Sequence, residues 1–512
     1  MKLSFIPFII GLTVHSALAA PGLKPRRTSS LLLNHVAQPD LPQPRPAYKN
    51  AYATNSSSGG LNLDDIQGDV LIGEKKNKEL FFFFGIQNAT AFKSKLSSDI
   101  SPLVTNTNQL LSVDTQPVTA VNIAFSQSGL TALGVTDNLK DSAFSSGQFA
   151  DAENLGDPGT SNWISGFIGT RVHGVLMFFS DTDENIDEEL SNIQSILGDS
   201  VTEVHRLNTS ARPGDQQGHE HFGYLDGISQ PAIEGFTQDV LPGQMLVPPG
   251  SFILGADGDL FARPQWAVGG SFLAFRQMQQ MVPEFNKYVR DNAVMLPGLS
   301  QTENFNLFGA RLFGRWKSGA PVDLAPLQDD PELANDKMRS NNFTYDHPEY
   351  PGFDMVSNQT NCPFSAHIRK TRPRRDFNPE EPFHHIIRAS IPYGPEVTDG
   401  EHASNKSSTD PSLERGLAFV AYQSSIENGF KFMQTQWVND ANFFIGKPTP
   451  PGVDPIIGRI PGTPADAPRN VSGTNPMNQS QIFTLDSDIV ISRGGEYFFV
   501  PPISALSGVL AA

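Results

Sequence analysis

The chain has 512 residues, of which 18% are charged and 38% hydrophobic, and a formal net charge of −17. That length can bury a large core, in two domains or a fused pair of similar modules, and the composition excludes a chain disordered throughout. The acidic balance argues against a nucleic-acid binder, because neutralising phosphates takes a basic surface, and it suits a soluble, secreted protein working at low pH, where some carboxylates protonate.

At the N-terminus Lys2 precedes the apolar run FIPFIIGLTV, and Ala17-Leu18-Ala19 follows it. A short charged region, an apolar region and an A-x-A site predict a signal peptide over residues 1–19. The run is too short to span a bilayer, and no later segment reaches about 18 consecutive apolar residues. No membrane partner is expected. A Pro-, Ser- and Asn-rich stretch with the dibasic pair Arg26-Arg27 predicts a pro-segment over residues 20–60. Eight N-x-S/T sequons begin at Asn55, Asn88, Asn208, Asn342, Asn358, Asn405, Asn470 and Asn478. With a signal peptide they point to a secreted, extracellular glycoprotein. Cys362 is the only cysteine, so no internal disulfide can form and stability rests on the core. A buried packing cysteine is the expectation.

From residue 64 onward the elements read in order. LFFFFGI (80–86) is a continuous apolar run of strand length, and NATAFKSKLSSDI has helical spacing. VNIAFS (121–126) predicts a strand, QSGLTALGV a short helix and HGVLMFFSD (173–181) another strand. DENIDEELSNIQSILGD is an amphipathic helix with acids in its first turn, where they favour the helix dipole. VTEVHRLN (201–208) alternates as a strand. Strand, helix, strand, then strand, helix, strand is the ferredoxin-like order, an antiparallel sheet with helices on one face. The second half resembles the first loosely. SFLAFRQM (271–278), HHIIRASIPY (384–393) and GLAFVAYQSSI (416–426) predict strands, and QMVPEFNKYV and ENGFKFMQTQWV predict helices. His384 and His385 are placed in a strand. The predicted fold is α+β: two fused ferredoxin-like modules with antiparallel sheets, over residues 61–240 and 241–512. Pro/Gly-rich stretches at 241–250 and 446–468 connect or decorate them.

Among the eleven histidines no HExxH or other close metal pair on one helix occurs. A single cysteine excludes zinc fingers, iron–sulfur clusters and a two-cysteine haem attachment, and the absence of GxSxG weakens an α/β-hydrolase reading. Two stretches remain. In GHEHFGYLDGISQP (218–231), Asp226 sits in a bend marked by Gly223, Gly227 and Pro231. A turn carboxylate bonding backbone amides is the simplest reading. In CPFSAHIRKTRPRR (362–375), five basic residues lie within 369–375, directly after a small, apolar approach to His367. A charge run is usually a solvated face. The combination also fits a haem, with an imidazole for the iron and arginines for the two propionates.

GYLDG with its downstream SQP, CPFSAHIRKTRPR, IIRASIPYGPE and GLAFVAYQSSIENGFKFMQTQW together resemble the fungal dye-decolorizing peroxidases. The resemblance runs from about residue 61 to the C-terminus, with the motifs in the family's order. It implies two ferredoxin-like modules enclosing a pocket for haem b, one per chain. Asp226 matches the acid of the family's GxxDG motif, His367 the proximal haem ligand and Arg388 the distal arginine. Leu417 and Phe419 match apolar residues of the distal pocket. Tyr393 matches a tyrosine implicated in electron transfer to bulky substrates, and Asp454 the acid behind the proximal histidine. Arg369 and Arg374 are chosen as propionate partners. Trp437 is a further electron-transfer candidate, although packing is the ordinary use of such an aromatic. Residues 395–413 are polar, carry a sequon and read as an insertion.

The resemblance implies a secreted haem peroxidase that reduces hydrogen peroxide and oxidises dyes, phenolic or other aromatic donors in one-electron steps. Asp226 would move the peroxide proton and Arg388 would stabilise the charge formed as the O–O bond breaks. A free aspartate ionises near 3.9 and a histidine near 6.5, so an aspartate base implies activity in mildly acidic solution. The alternative is a haem-binding or haem-processing protein without peroxide turnover, which would not need both an acid and a cation at the iron. Monomer and homodimer both remain open.

Overall fold

A computed structural model describes residues 60–73, 77–111, 115–377, 380 and 382–512. The expected signal peptide and nearly all of the expected pro-segment lie outside the described residues. In chain order the strands are β1 (Lys78–Ile86), β2 (Ala120–Phe125), β3 (Gly174–Ser180), β4 (Val201–Ser210), the short β5 (Ala232–Ile233) and β6 (Leu246–Val247), β7 (Ser271–Gln280), β8 (Ile387–Arg388), β9 (Ile391–Tyr393), β10 (Gly416–Gln423), β11 (Arg469–Val471), β12 (Phe483–Leu485) and β13 (Val490–Val500).

The apolar run of β1 explains the architecture. Phe81 and Phe83 enter one core while Leu80, Phe82 and Phe84 enter another. Successive strand residues point to opposite faces, so a strand that is apolar at every position must be buried on both. The first core lies between the two halves of the sheet and takes Phe275, Val420, Tyr422 and Phe498 from the second half. The other lies under the helices, where the predicted amphipathic helix Asp183–Leu197 buries Ile186, Leu190, Ile193 and Leu197. Thr182 caps that helix by accepting from the Asn185 amide at 3.3 Å.

The main sheet has nine strands, in the order β4-β1-β3-β2-β13-β7-β10-β8, with β9 also pairing β10. Its halves repeat one pattern. β4-β1-β3-β2 is the ferredoxin-like order of the first module, and β13-β7-β10-β8 repeats it in the second, the duplication expected from the order of strands and helices. The halves join at one residue pair, Phe499 with Phe125, and β9 comes against β4, so the sheet curves toward closure.

The second half departs from expectation in three places. The expected strand 384–393 is two short pieces in one register, with Arg388 opposite Ala421 and Ile391 opposite Ala418. Between them the Ser390 hydroxyl replaces a backbone acceptor for the Val420 amide at 3.2 Å, and His384 and His385 precede the strand instead of lying in it. The expected helix over ENGFKFMQTQWV is one turn, Phe430–Phe432, continued by a π-helical turn, Met433–Val438. The fourth strand of the second module, β13, has no counterpart in the expectations. Its register shifts between Ser492 and Gly495, and the polar centre SRGGE hides the alternation. Gly494 has φ of +100°, and a Cβ there would lie 3.0 Å from Trp163 and Phe167, so this bulge requires glycine.

The polar stretch 395–413 is organised by one carboxylate. Glu401 accepts both terminal nitrogens of Arg415, at 2.9 and 2.8 Å, and the amides of Thr398 and Ser408, each at 2.9 Å. Burial acts to raise its pKa, but the hydrogen bonds from Arg415, Ser408 and Thr398 outweigh it and hold the carboxyl at about 2.

Two outcomes are expected. Phe83→Ala removes a ring packed on Phe167 and Phe275 at centroid distances of 5.0 and 4.9 Å. It should cost about 3–5 kcal/mol, read as a lower denaturant midpoint with an unchanged slope. The depressed Glu401 pKa contributes stability that is complete above the ordinary carboxylate range and is lost as pH falls toward 2. The midpoint gap between the parent and Glu401→Gln should therefore be constant near neutrality and shrink below about pH 4.5. A gap that grows on acidification would contradict this.

Candidate active site

The bend that holds Asp226 is built by its neighbours. Gly223 and Gly227 have φ of +93° and +78°, a region L-residues avoid. The Glu220 carboxylate, buried inside the loop, accepts the amides of Phe222 and Tyr224 at 2.9 and 2.8 Å and the Gln280 side-chain amide. The Asp226 amide donates to the Gly218 carbonyl at 3.0 Å, closing the turn. The Asp226 carboxylate accepts the Gly227 amide at 2.6 Å and an Arg388 terminal nitrogen at 2.5 Å. The turn reading is therefore correct but incomplete, because the same oxygen also faces a guanidinium from β8.

His367 begins the short helix His367–Thr371. Its Nδ1 meets Asp454 Oδ2 at 2.7 Å. Asp454 is fully buried, and its other oxygen accepts the amides of Ile456 and Ile457 at 2.8 and 3.0 Å. A carboxylate can only accept, so this contact assigns the proton to Nδ1 and leaves Nε2 for another partner. Burial would lower the imidazole pKa, but Asp454 outweighs it by charge and hydrogen bond, and the net shift is upward.

His367, Asp226, Arg388, Leu417, Phe419 and Arg374 all line one cavity of about 340 Å³, within the usual range for a small-molecule pocket of about 300–1,000 Å³. Leu417 and Phe419 stand two apart on β10 and share a face. Phe313, Ile368 and Phe430 extend the apolar wall, and Arg315 and Arg372 add cations. Arg374, with φ of +51°, donates to the carbonyls of Gly243, Asn341 and Phe343 at 3.1, 3.0 and 2.7 Å.

Arg369 is elsewhere, and its choice as a propionate partner is corrected. Two residues past His367 on one helix, it is turned about 200° away. Its guanidinium forks onto Asp376 at 2.7 and 2.9 Å and reaches the Cys362 carbonyl at 2.7 Å. It lies over the rings of Tyr345 and Phe364, 4.4 and 4.7 Å from their centroids. Cys362 is buried as expected, and burial pushes its thiol up to about 12.

Tyr393 and Trp437 do not line the cavity. Tyr393 is buried on β9 and donates to Glu414 at 2.9 Å. Trp437 packs parallel to Phe443, with centroids 5.6 Å apart. It also meets the edge of His384 at 5.5 Å. His384 and His385 do line the cavity. His384 stacks on Phe432 at 3.6 Å, and its Nδ1 lies 2.6 Å from the Asn428 carbonyl. Neither they nor Phe313 and Arg315 emerge from sequence reasoning. The helix Gln301–Phe313 that delivers Phe313 was readable, since Ser300 and Glu303 form a capping box.

The donor set fits haem. One imidazole anchored by a carboxylate offers a metal a single donor, not a cage. Among the described residues no group of three or more His, Cys, Asp or Glu could hold a metal ion. An iron held here would need further donors, which a macrocycle would bring. The apolar wall suits its ring and the arginines suit carboxylates.

Comparison with known proteins agrees. The family model described as the DyP dimeric alpha+beta barrel domain matches residues 65–213, and that of the Dyp-type peroxidase C-terminal domain matches residues 222–443. Peroxidase 2 of Mycetinis scorodonius is 59% identical over 523 residues, covering 100% of both chains. A dye-decolorizing peroxidase of Auricularia auricula-judae is 50% identical, covering 95% of this chain and 92% of that one. The crystal structure of a fungal DyP-type peroxidase from Auricularia auricula-judae superposes with a TM-score of 0.83 at 52% identity, covering 88% of this chain and 100% of that chain. With two domain matches, full-length relatives and a shared fold, the chain belongs to the dye-decolorizing peroxidase family, whose members are haem enzymes.

Proposed function

We propose that this peroxidase works outside the cell with one haem b per chain, reducing hydrogen peroxide and oxidising dyes, phenolic or other aromatic donors by one-electron steps. The observation that carries the reading is the juxtaposition, in one cavity, of the Asp226–Arg388 pair with the His367–Asp454 pair.

Haem, when bound, would supply redox-active iron and a macrocycle able to hold oxidising equivalents. His367 would ligate through Nε2, and Asp454, by accepting from Nδ1, keeps that imidazole oriented and makes it a stronger donor. Asp226 accepts the peroxide proton and returns it to the outer oxygen, which can then leave as water. Arg388, already hydrogen-bonded to Asp226, holds the carboxylate in place and stabilises the negative charge that develops as the O–O bond breaks. Arg374 would hold a propionate.

Tyr393 and Trp437 are proposed for donors too large for the cavity, because each is an oxidisable ring near it. Trp437 touches His384, which lines the cavity. Tyr393 shares with Arg388 the register on β10. Secretion is supported by the signal peptide expected from the sequence and by the exposure of Asn88, Asn208, Asn342, Asn470 and Asn478 in their sequons. No helix among the described residues is long and apolar enough to cross a membrane.

His367→Ala should purify without stable haem, measured as loss of the absorption band near 400 nm (roughly the haem region). A full band at an unchanged position would remove His367 as ligand. Asp226→Asn and Arg388→Leu should keep haem while the rate of reaction with peroxide falls on the order of 100-fold or more, followed by stopped-flow absorbance across a pH series. The parental rate in either variant would end the role assigned to that residue. Tyr393→Phe should slow oxidation of bulky dyes and spare small donors, compared as kcat/KM on both classes. Equal losses would make Tyr393 structural.

A further inference from the structure

The Asp226–Arg388 contact joins segments 162 residues apart, and one end of it rests on a weak support. β8 is two residues long and is the last strand in the sheet order. An edge strand has an inner row of backbone groups in the ladder and an outer row without strand partners. Around Arg388 the rows can be assigned. The Ala389 amide donates inward to the Val420 carbonyl at 3.0 Å. Alternation in an antiparallel ladder then turns the amide and carbonyl of Arg388 outward.

Gln230 meets both outward groups. Its Oε1 accepts the Arg388 amide at 3.1 Å, and its Nε2 donates to the Arg388 carbonyl at 2.5 Å. A backbone donor and a backbone acceptor face the side chain, so the amide orientation is determined by its partners. A side chain of this length reproduces the pair of bonds that a neighbouring strand would make. Gln230 is itself anchored. Its carbonyl accepts the Gln244 side-chain amide at 3.2 Å, and Gln244 Oε1 accepts the Leu241 amide at 2.9 Å. Two residues on, the Ala232 amide donates to the Met245 carbonyl at 2.9 Å where β5 pairs with β6. Gln230 also lies only four residues after Asp226 and lines the same cavity.

We propose that Gln230 is a positioning residue for peroxide activation: its side-chain amide completes the outer edge of β8 and sets the backbone from which Arg388 reaches Asp226. One loop thereby holds the acid directly and the cation through its backbone, and the two move as a unit. The inference rests on the reading of Arg388 given above.

The test is a double-mutant cycle on the haem-loaded protein, comprising the parent, Gln230→Met, Arg388→Leu and the double variant. It reads the second-order rate constant with hydrogen peroxide, haem content, and hydrogen exchange in the peptide containing Ile387–Arg388. Gln230→Met keeps the side-chain length and removes both hydrogen bonds. It should retain haem, speed exchange in that peptide, and lower the rate constant on the order of tenfold, a fraction of the 100-fold that a 1 Å misplacement can cost. In the Arg388→Leu background it should add no further loss. A fully additive loss there would overturn positioning and make Gln230 a general structural residue. An unchanged constant in Gln230→Met would also overturn it, while a loss in Arg388→Leu in the same series would leave the Arg388 reading standing. A parental constant in Arg388→Leu would remove that reading, and the role of Gln230 with it. Gln230→Glu serves if the Met variant does not fold. It keeps an acceptor for the Arg388 amide and regains a donor only when the new carboxyl is protonated. Its deficit relative to the parent should narrow as pH falls, and a pH-independent deficit would overturn the proposal.

Discussion

The main strands other than β4 are largely buried on both faces, and this constraint decides where the chemistry can sit. One face of the sheet closes on the core shared by the two modules and the other lies under helices. A polar group in the middle of such a strand needs a partner or costs free energy. The ionic groups at the cavity are therefore displaced to loops, to helix starts and to a very short strand: Asp226 on a bend, His367 at a helix start, Arg388 on two-residue β8. Loops carried on a rigid scaffold are the usual place for such groups. Here the scaffold is a duplicated ferredoxin-like sheet, and the cavity is lined from both halves, by Leu155 and Asp157 of the first and by Leu417 and Phe419 of β10 in the second.

Placing ionic groups on loops carries its own requirement, because loops must be held as firmly as strands. The structure meets it with buried cations that donate to carbonyls. Arg311 is fully buried and bonds the carbonyls of Gln359, Thr360, Asn361 and Gly473, securing the approach to His367. Burial lowers its pKa to about 10, so the guanidinium keeps its charge at neutral and acid pH. Lys370, one helical turn from His367, donates to the carbonyls of Trp437, Asp440 and Phe443 at 3.3, 2.7 and 2.5 Å. Arg369 binds Asp376, which Lys447 also reaches at 2.8 Å. Much of the basic run after His367 thus serves to fasten the helix that starts there. Removing one partner from such a buried set is expected to be far more damaging than removing a surface ion pair.

Two carboxylates near the cavity are given different work by their surroundings. Glu220 is enclosed by amides and shaped into the loop, with burial as the main influence and an upward shift. Asp226, six residues on, shares its oxygen with Arg388 and faces open space. The difference lies in access, since both side chains belong to one glycine-rich stretch and both accept backbone amides.

The sequence by itself determined the fold class, the duplicated module and the residues of the two ion pairs. Strand periodicity in β1 to β4 and the helix Asp183–Leu197 are local properties that alternation and capping make readable. Asp226, His367, Arg388 and Asp454 were legible through their motifs, and all four meet in the pairs described. Only the tertiary structure decided the rest. β13 carries a bulge that breaks its alternation, so its place between β2 and β7 follows from pairing and not from pattern. Arg369 and Arg374 lie in one basic run, yet the first turns off its helix to Asp376 while the second, past the helix end at Thr371, reaches the cavity wall. The partnership of Gln230 with Arg388 spans 158 residues, and no local spacing encodes it. Periodicity reports the direction a side chain leaves its own element. What it meets depends on the packing of elements distant in the chain.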